Sequence, residues 1–140
     1  MLDPDADSAK SLTFAAIIVQ IAFMGIGVVF ALVFLTLFLP LSTPAALSGL
    51  GFIVTMIAIM FVFWLFWILL DYYLVYVKIA EERVSEAETP SLVLGIIQLL
   101  LSIVPGILLI IAYAKIRDSM ARYPAHYVQP RAPAQPPRGP

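Results

Sequence analysis

The chain has no cysteine and one histidine, so disulfides, thiolate nucleophiles and thiolate metal sites are excluded together. His126 has no second ligand at metal spacing, no Ser, His and Asp grouping suggests a triad, and no metal, cofactor or catalytic residue is expected. Charge is almost as scarce, at 12% of residues, and 8 Lys+Arg stand against 9 Asp+Glu. That balance leaves no field to attract nucleic acid. The glycines of Gly25-Ile26-Gly27 and Gly49-Leu50-Gly51 lie inside apolar runs, which removes phosphate-loop readings.

The charge that exists avoids three long stretches, 13–39, 45–70 and 91–114. Hydrophobic residues make up 62% of the chain, and its mean hydropathy is +1.01. Uncharged runs of this length form helices of roughly 35–40 Å, enough to cross a hydrocarbon core of about 30 Å with some tilt. The expected class is therefore an all-α integral membrane protein with three apolar helical segments and the lipid bilayer as its first partner. The start, MLDPDADSAK, is acidic where a signal peptide would be basic, so the first run reads as an uncleaved span.

In order, the sequence predicts an acidic segment over 1–10 and a first span over 11–39, with Asp3, Asp5, Asp7 and Ser8 available to cap its start. Pro40 ends that span, 40–44 makes a tight loop, and the second span covers 45–70. Trp64, Trp67, Tyr72 and Tyr73 place a bilayer boundary near its end, because their rings are apolar while their N–H or O–H groups favour water. Asp71 beside them reads as an interfacial, solvated carboxylate. Residues 71–88 contain no Gly or Pro, so the second helix is expected to extend out of the bilayer to Glu88. Thr89 and Pro90 then read as the N-cap and first position of the next helix.

The third segment, 89–117, ends in a collar of Tyr113, Lys115 and Arg117 and is kinked or broken at Pro105-Gly106. Two chain paths are open to it. A single kinked span asks little of the backbone, since neighbouring helices can satisfy the carbonyl that a proline frees. A re-entrant hairpin would gather all eight basic residues on one side, as the positive-inside rule prefers. Its turn, however, would strand backbone groups in lipid unless protein covered them. Length and backbone hydrogen bonding favour three full spans.

Small and polar residues recur at three- and four-residue steps: Gln20, Gly27 and Ala31 in the first run, Gly51 and Thr55 in the second, and Gly95, Gln98 and Ser102 in the third. Such faces let helices approach one another and suit contacts with other membrane helices, from a second copy or a partner protein. No ionisable group lies within a run, which argues against a proton-coupled pump. The Pro-rich segment 118–140 has almost no large aliphatic residue and is expected to be disordered. Its Pro-x-x-Pro spacings could dock an aromatic groove of a soluble partner, though proline-rich tails meet that spacing by chance. The functional expectation is a non-enzymatic scaffolding subunit of a homo-oligomer or larger membrane complex. The alternative is a channel or transporter subunit whose third helix lines a route.

Overall fold

A computed structural model describes residues 3–38 and 44–124. Helix α1 runs Pro4–Phe38 and α2 runs Pro44–Asp71; a π-helical turn, Tyr72–Tyr76, leads into α3, Val77–Ala80, and then come α4, Val84–Leu101, and α5, Ile103–Arg122. Among the described residues three helices are long and apolar enough to cross a membrane, and the chain is an all-α membrane protein. Most of the expected 40–44 loop and nearly all of the Pro-rich tail lie outside the described residues.

Helix α1 starts where its sequence dictates. The Asp3 carboxylate accepts from the amides of Asp5 and Ala6, both at 3.0 Å, and Pro4 takes the first helical position, where a missing N–H costs nothing. Its most deeply buried residues, Ala6, Ala9, Thr13, Ala16 and Gln20, recur every three or four positions. Being small, most of them let α5 lie close. The two helices are antiparallel, with Asp3 bonded to Ser119 at 2.6 Å and Asp5 to Lys115 and Arg122, both at 3.0 Å. Helices α1 and α2 are also antiparallel, since Phe14 meets Tyr76 and Phe23 meets Trp64 with ring centroids 5.9 and 6.3 Å apart.

The second helix does not continue to Glu88. It stops after Ala80 in a Schellman motif, in which Arg83 N–H donates to the Lys78 carbonyl at 2.8 Å and Glu82 N–H to that of Ile79 at 3.1 Å. Glu82, at φ 61°, occupies the left-handed position that glycine usually fills. Reversal brings Val84 and Ala87 onto Val75 and Ile79, and burial of these four outweighs the cost of one strained residue. Thr89-Pro90 accordingly starts no helix; Pro90 lies inside α4.

The third apolar run is not one continuous helix either. It breaks at Ser102, whose backbone is extended (φ −155°, ψ 108°), three residues ahead of Pro105. A proline ring clashes with the carbonyl four residues back, which stops α4 at Leu101, while Pro105 itself fits the first turn of α5, where amide groups have no helical partner. The chain then folds back. A Cβ built on Gly95 would lie 2.9 Å from Ile110 Cγ1, and one built on Gly106 would overlap the backbone nitrogen and Cα of Leu99, so the two arms are antiparallel and in backbone contact near the turn. The expected kink or break is thus a break, placed three residues before Pro105, and of the two chain paths open to 89–117 the helices take the hairpin rather than the favoured single span.

This hairpin covers only part of the α1–α2 pair. Burial on α1 ends at Gln20, near the middle of its 35 residues, and beyond it α1 and α2 expose apolar side chains on nearly every face. Gly106→Ala is expected to destabilise the protein by about 3 kcal/mol through overpacking against Leu99. Gly27→Ala, with open space around its Cβ position, should be neutral or slightly stabilising. Helicity loss on titration of mixed micelles with denaturing detergent measures both; equal behaviour of the two variants would contradict the hairpin.

Candidate functional site

Three polar side chains from separate parts of the chain converge at the depth where α1 ceases to be buried. Gln20 comes from the core face of α1, Asp71 from the last position of α2, and Gln98 from α4 four residues before the hairpin break. Asp71 is completely buried. Gln98 Nε2 donates to both Asp71 carboxylate oxygens at 2.8 Å, and Gln20 Nε2 donates to Asp71 Oδ2 at 2.5 Å and to Gln98 Oε1 at 2.9 Å.

The network fixes the amide orientations. A carboxylate accepts only, so each glutamine must turn its NH₂ toward Asp71, and Gln98 Oε1 is then free to accept from Gln20. Among the described residues no Lys, Arg or His pairs with Asp71. Amide donors alone offset the loss of water around this carboxyl group. The solvated carboxylate expected at this position is thus corrected to a buried one. Immediately after it the chain takes the π-helical turn, an irregularity common at functional positions.

Beside the network lies a cavity of about 320 Å³. Gln20 and Gln98 form its polar wall, Trp64, Trp67 and Phe63 its aromatic wall, and Ser102 and Pro105 its end at the hairpin turn. Among the described residues two buried polar atoms have no hydrogen-bond partner, Gln20 Oε1 and the indole nitrogen of Trp67.

The other residues singled out in the sequence fall into separate groups. Gly95 and the Pro105-Gly106 pair sit in the α4–α5 contact. Gly27, Gly51 and Thr55 are exposed, Ala31 is half-buried, and the Thr55 hydroxyl returns to its own helix at the Gly51 carbonyl, 2.8 Å away. Tyr72 and Tyr73 are exposed and edge-to-face at 5.1 Å. Tyr113 and Lys115 are half-buried, with Lys115 held by Asp5, and Arg117 is exposed. Asp71 was missed as a site residue, although a carboxylate about one turn after Trp67 and two after Trp64, on the face of Ile68 and Val75, was the available signal.

Comparison with protein-family models, with curated proteins and with solved structures gives no match.

Replacing Asp71 by Leu orphans the amide donors of Gln20 and Gln98 and should cost about 2–4 kcal/mol. The triple variant Gln20→Leu, Asp71→Leu, Gln98→Leu removes all three groups and should recover most of that loss. Unfolding in mixed micelles compares the two; a triple variant as unstable as the single one would mean that the orphaned amides are not the cause.

Proposed function

We propose that the protein is a small multi-pass membrane protein working as a non-enzymatic subunit of an assembly of membrane helices, formed from its own copies or with a larger partner. The carrying observation is the uncovered half of the α1–α2 pair. Among the described residues no third helix lies on it beyond Gln20, and an added Cβ at Gly27 or Gly51 meets nothing within 4 Å apart from its own helix backbone. Small residues in that setting allow the close helix approach that drives association in lipid, where water no longer does so.

In the proposed placement α1 and α2 cross the bilayer and the α4–α5 hairpin enters from one side and returns. The charged groups support it. Asp5 with Lys115 and Arg122, Lys10 over Tyr76, and Lys78 with Glu86 all sit at the same end. The hairpin turn, by contrast, carries Leu100, 84% exposed, with Leu101 and Ile103 beside it. A non-enzymatic role fits an Asp71 that is saturated by amides and has no acid or base facing it. A channel or transporter subunit is the second reading, favoured by that same carboxylate, since ionisable groups within a membrane commonly mark ion or proton routes.

Since the chain lacks cysteine, single-cysteine variants report cleanly. Oxidation of Gly27→Cys in native membranes is expected to give a cross-linked dimer or a larger adduct, while Leu100→Cys at the hairpin turn gives neither. A monomer in mild detergent with no adduct in membranes would overturn the assembly reading. Flux in liposomes that disappears in Asp71→Asn would favour the second.

The placement makes its own forecast. Ser85→Cys and Asp118→Cys should react with an impermeant thiol reagent from the same side of the membrane. Reaction from opposite sides would mean that the hairpin passes through.

A further inference from the structure

We infer that the protein is tapered across the bilayer and partitions into strongly bent membrane, with its charged end on the convex face. The inference rests on the placement proposed above and on the depth to which the α4–α5 hairpin enters. Every exposed side chain from Val93 to Ile111 is apolar, among them Val93, Ile97 and Leu101 on one arm and Ile103, Ile107 and Ile111 on the other. Thr89 before this stretch and Arg117 and Asp118 after it are exposed polar groups. The lipid-facing lengths are therefore residues 93–101 and 103–111, each about 12 Å at 1.5 Å per residue. The two arms agree because the turn is the deepest point of both. Since a hydrocarbon core is about 30 Å thick, the hairpin occupies most of the depth of one leaflet and does not enter the other.

The opposite leaflet holds less protein. Residues 21–38 of α1 run on for about 27 Å past Gln20 with only α2 beside them among the described residues. In the hairpin's leaflet two helices, each roughly 10 Å across, are added to that pair, so the cross-section there is about double. Packing prevents the hairpin from thinning to even out the difference, because Gly95 already lies against Ile110 and Gly106 against the backbone of Leu99. A flat bilayer must then fill the narrow leaflet with extra lipid. A bend that stretches the hairpin's leaflet and compresses the other supplies the area difference, and this better fit shifts the protein toward bent membrane. The taper belongs to one chain. Copies meeting through the uncovered α1–α2 surface would draw the narrow ends together and keep it.

The test pulls thin tubes from giant phosphatidylcholine vesicles containing the full chain as Ser85→Cys, an exposed position ahead of the apolar part of α4. An impermeant fluorescent maleimide added outside marks only molecules whose charged end faces out, the convex side of a tube. Their ratio to a lipid dye should be roughly threefold higher in the tube than in the vesicle, equivalent to about 0.6 kcal/mol, and should rise as the tube narrows. Molecules labelled before reconstitution and then quenched from outside report the charged end facing in, and these should be depleted from the tube. Leu100→Lys combined with Ile103→Lys draws the turn toward water, because lysine at core depth is costly, and should lower the enrichment of the outward population. Equal ratios in tube and vesicle for both orientations, or an enrichment that the double substitution leaves unchanged, would overturn the taper while leaving the placement standing. Reaction of Ser85→Cys and Asp118→Cys from opposite sides would remove the placement and the taper with it.

Discussion

The burial of one carboxyl group sets the register of the whole molecule. Asp71 can lie out of water only if amide donors meet it, and those donors belong to residues 51 and 27 positions away along the chain. A sliding of α1 or α4 by one turn would move its glutamine about 5 Å along the axis and leave the carboxyl group unpaired. Apolar side chains in lipid give no comparable penalty, since a leucine against a lipid tail is nearly as well placed as a leucine against another leucine. The polar network thus supplies specificity that the apolar surface cannot, and it fastens the hairpin to the α1–α2 pair at one depth.

A second group of polar contacts works at the charged end. Asp5 is held between Lys115 and Arg122, and Ser119 donates to Asp3, so the start of α1 is tied to the end of α5. Between this tie and the Asp71 network, Ala6, Ala9 and Ala16 face Leu109, Ala112 and Ile116 in an alanine-rich seam. Small side chains in this seam let α1 and α5 approach closely where the tie between Asp5, Lys115 and Arg122 holds them together. Arg83, Glu81, Glu86 and Lys78 clamp the reversal before α4, but these groups are well exposed and each pair contributes little.

Local chemistry was legible in the sequence wherever it was strong. The uncharged runs 13–39 and 45–70 announce α1 and α2 by length, whereas Asp3 was one of four caps on offer and α1 starts at Pro4, inside the acidic segment expected to precede the span. What failed to show rests on contacts between distant residues or on a rule broken at a cost. The reversal at Glu82 lacks the glycine that marks most Schellman motifs, so residues 71–88 looked like uninterrupted helix. Pro105 looked like the break itself, yet a proline is tolerated in a first turn and interrupts the helix that precedes it, which put the break at Ser102. Gln20 and Gln98 stood out as polar residues on small-residue faces, but nothing local to Asp71 indicated that both would reach it.

In the proposed placement the hairpin turn lies within the membrane, where stranded backbone groups are costly, and two hydrogen bonds lessen that cost. Ser102 N–H donates to the Gln98 carbonyl, and Gly106 N–H donates to the Ser102 carbonyl at 3.3 Å, so hydrogen bonding carries across the break. The side-chain-free Gly106 lets α5 close onto the backbone of Leu99 and shields the turn on that side. The gathering of Lys10, Lys78, Arg83, Lys115, Arg117 and Arg122 at one end then follows without conflict with the positive-inside preference. In a single span for 91–114, α5 would leave α4 on the opposite side, and Asp5 would lose both Lys115 and Arg122.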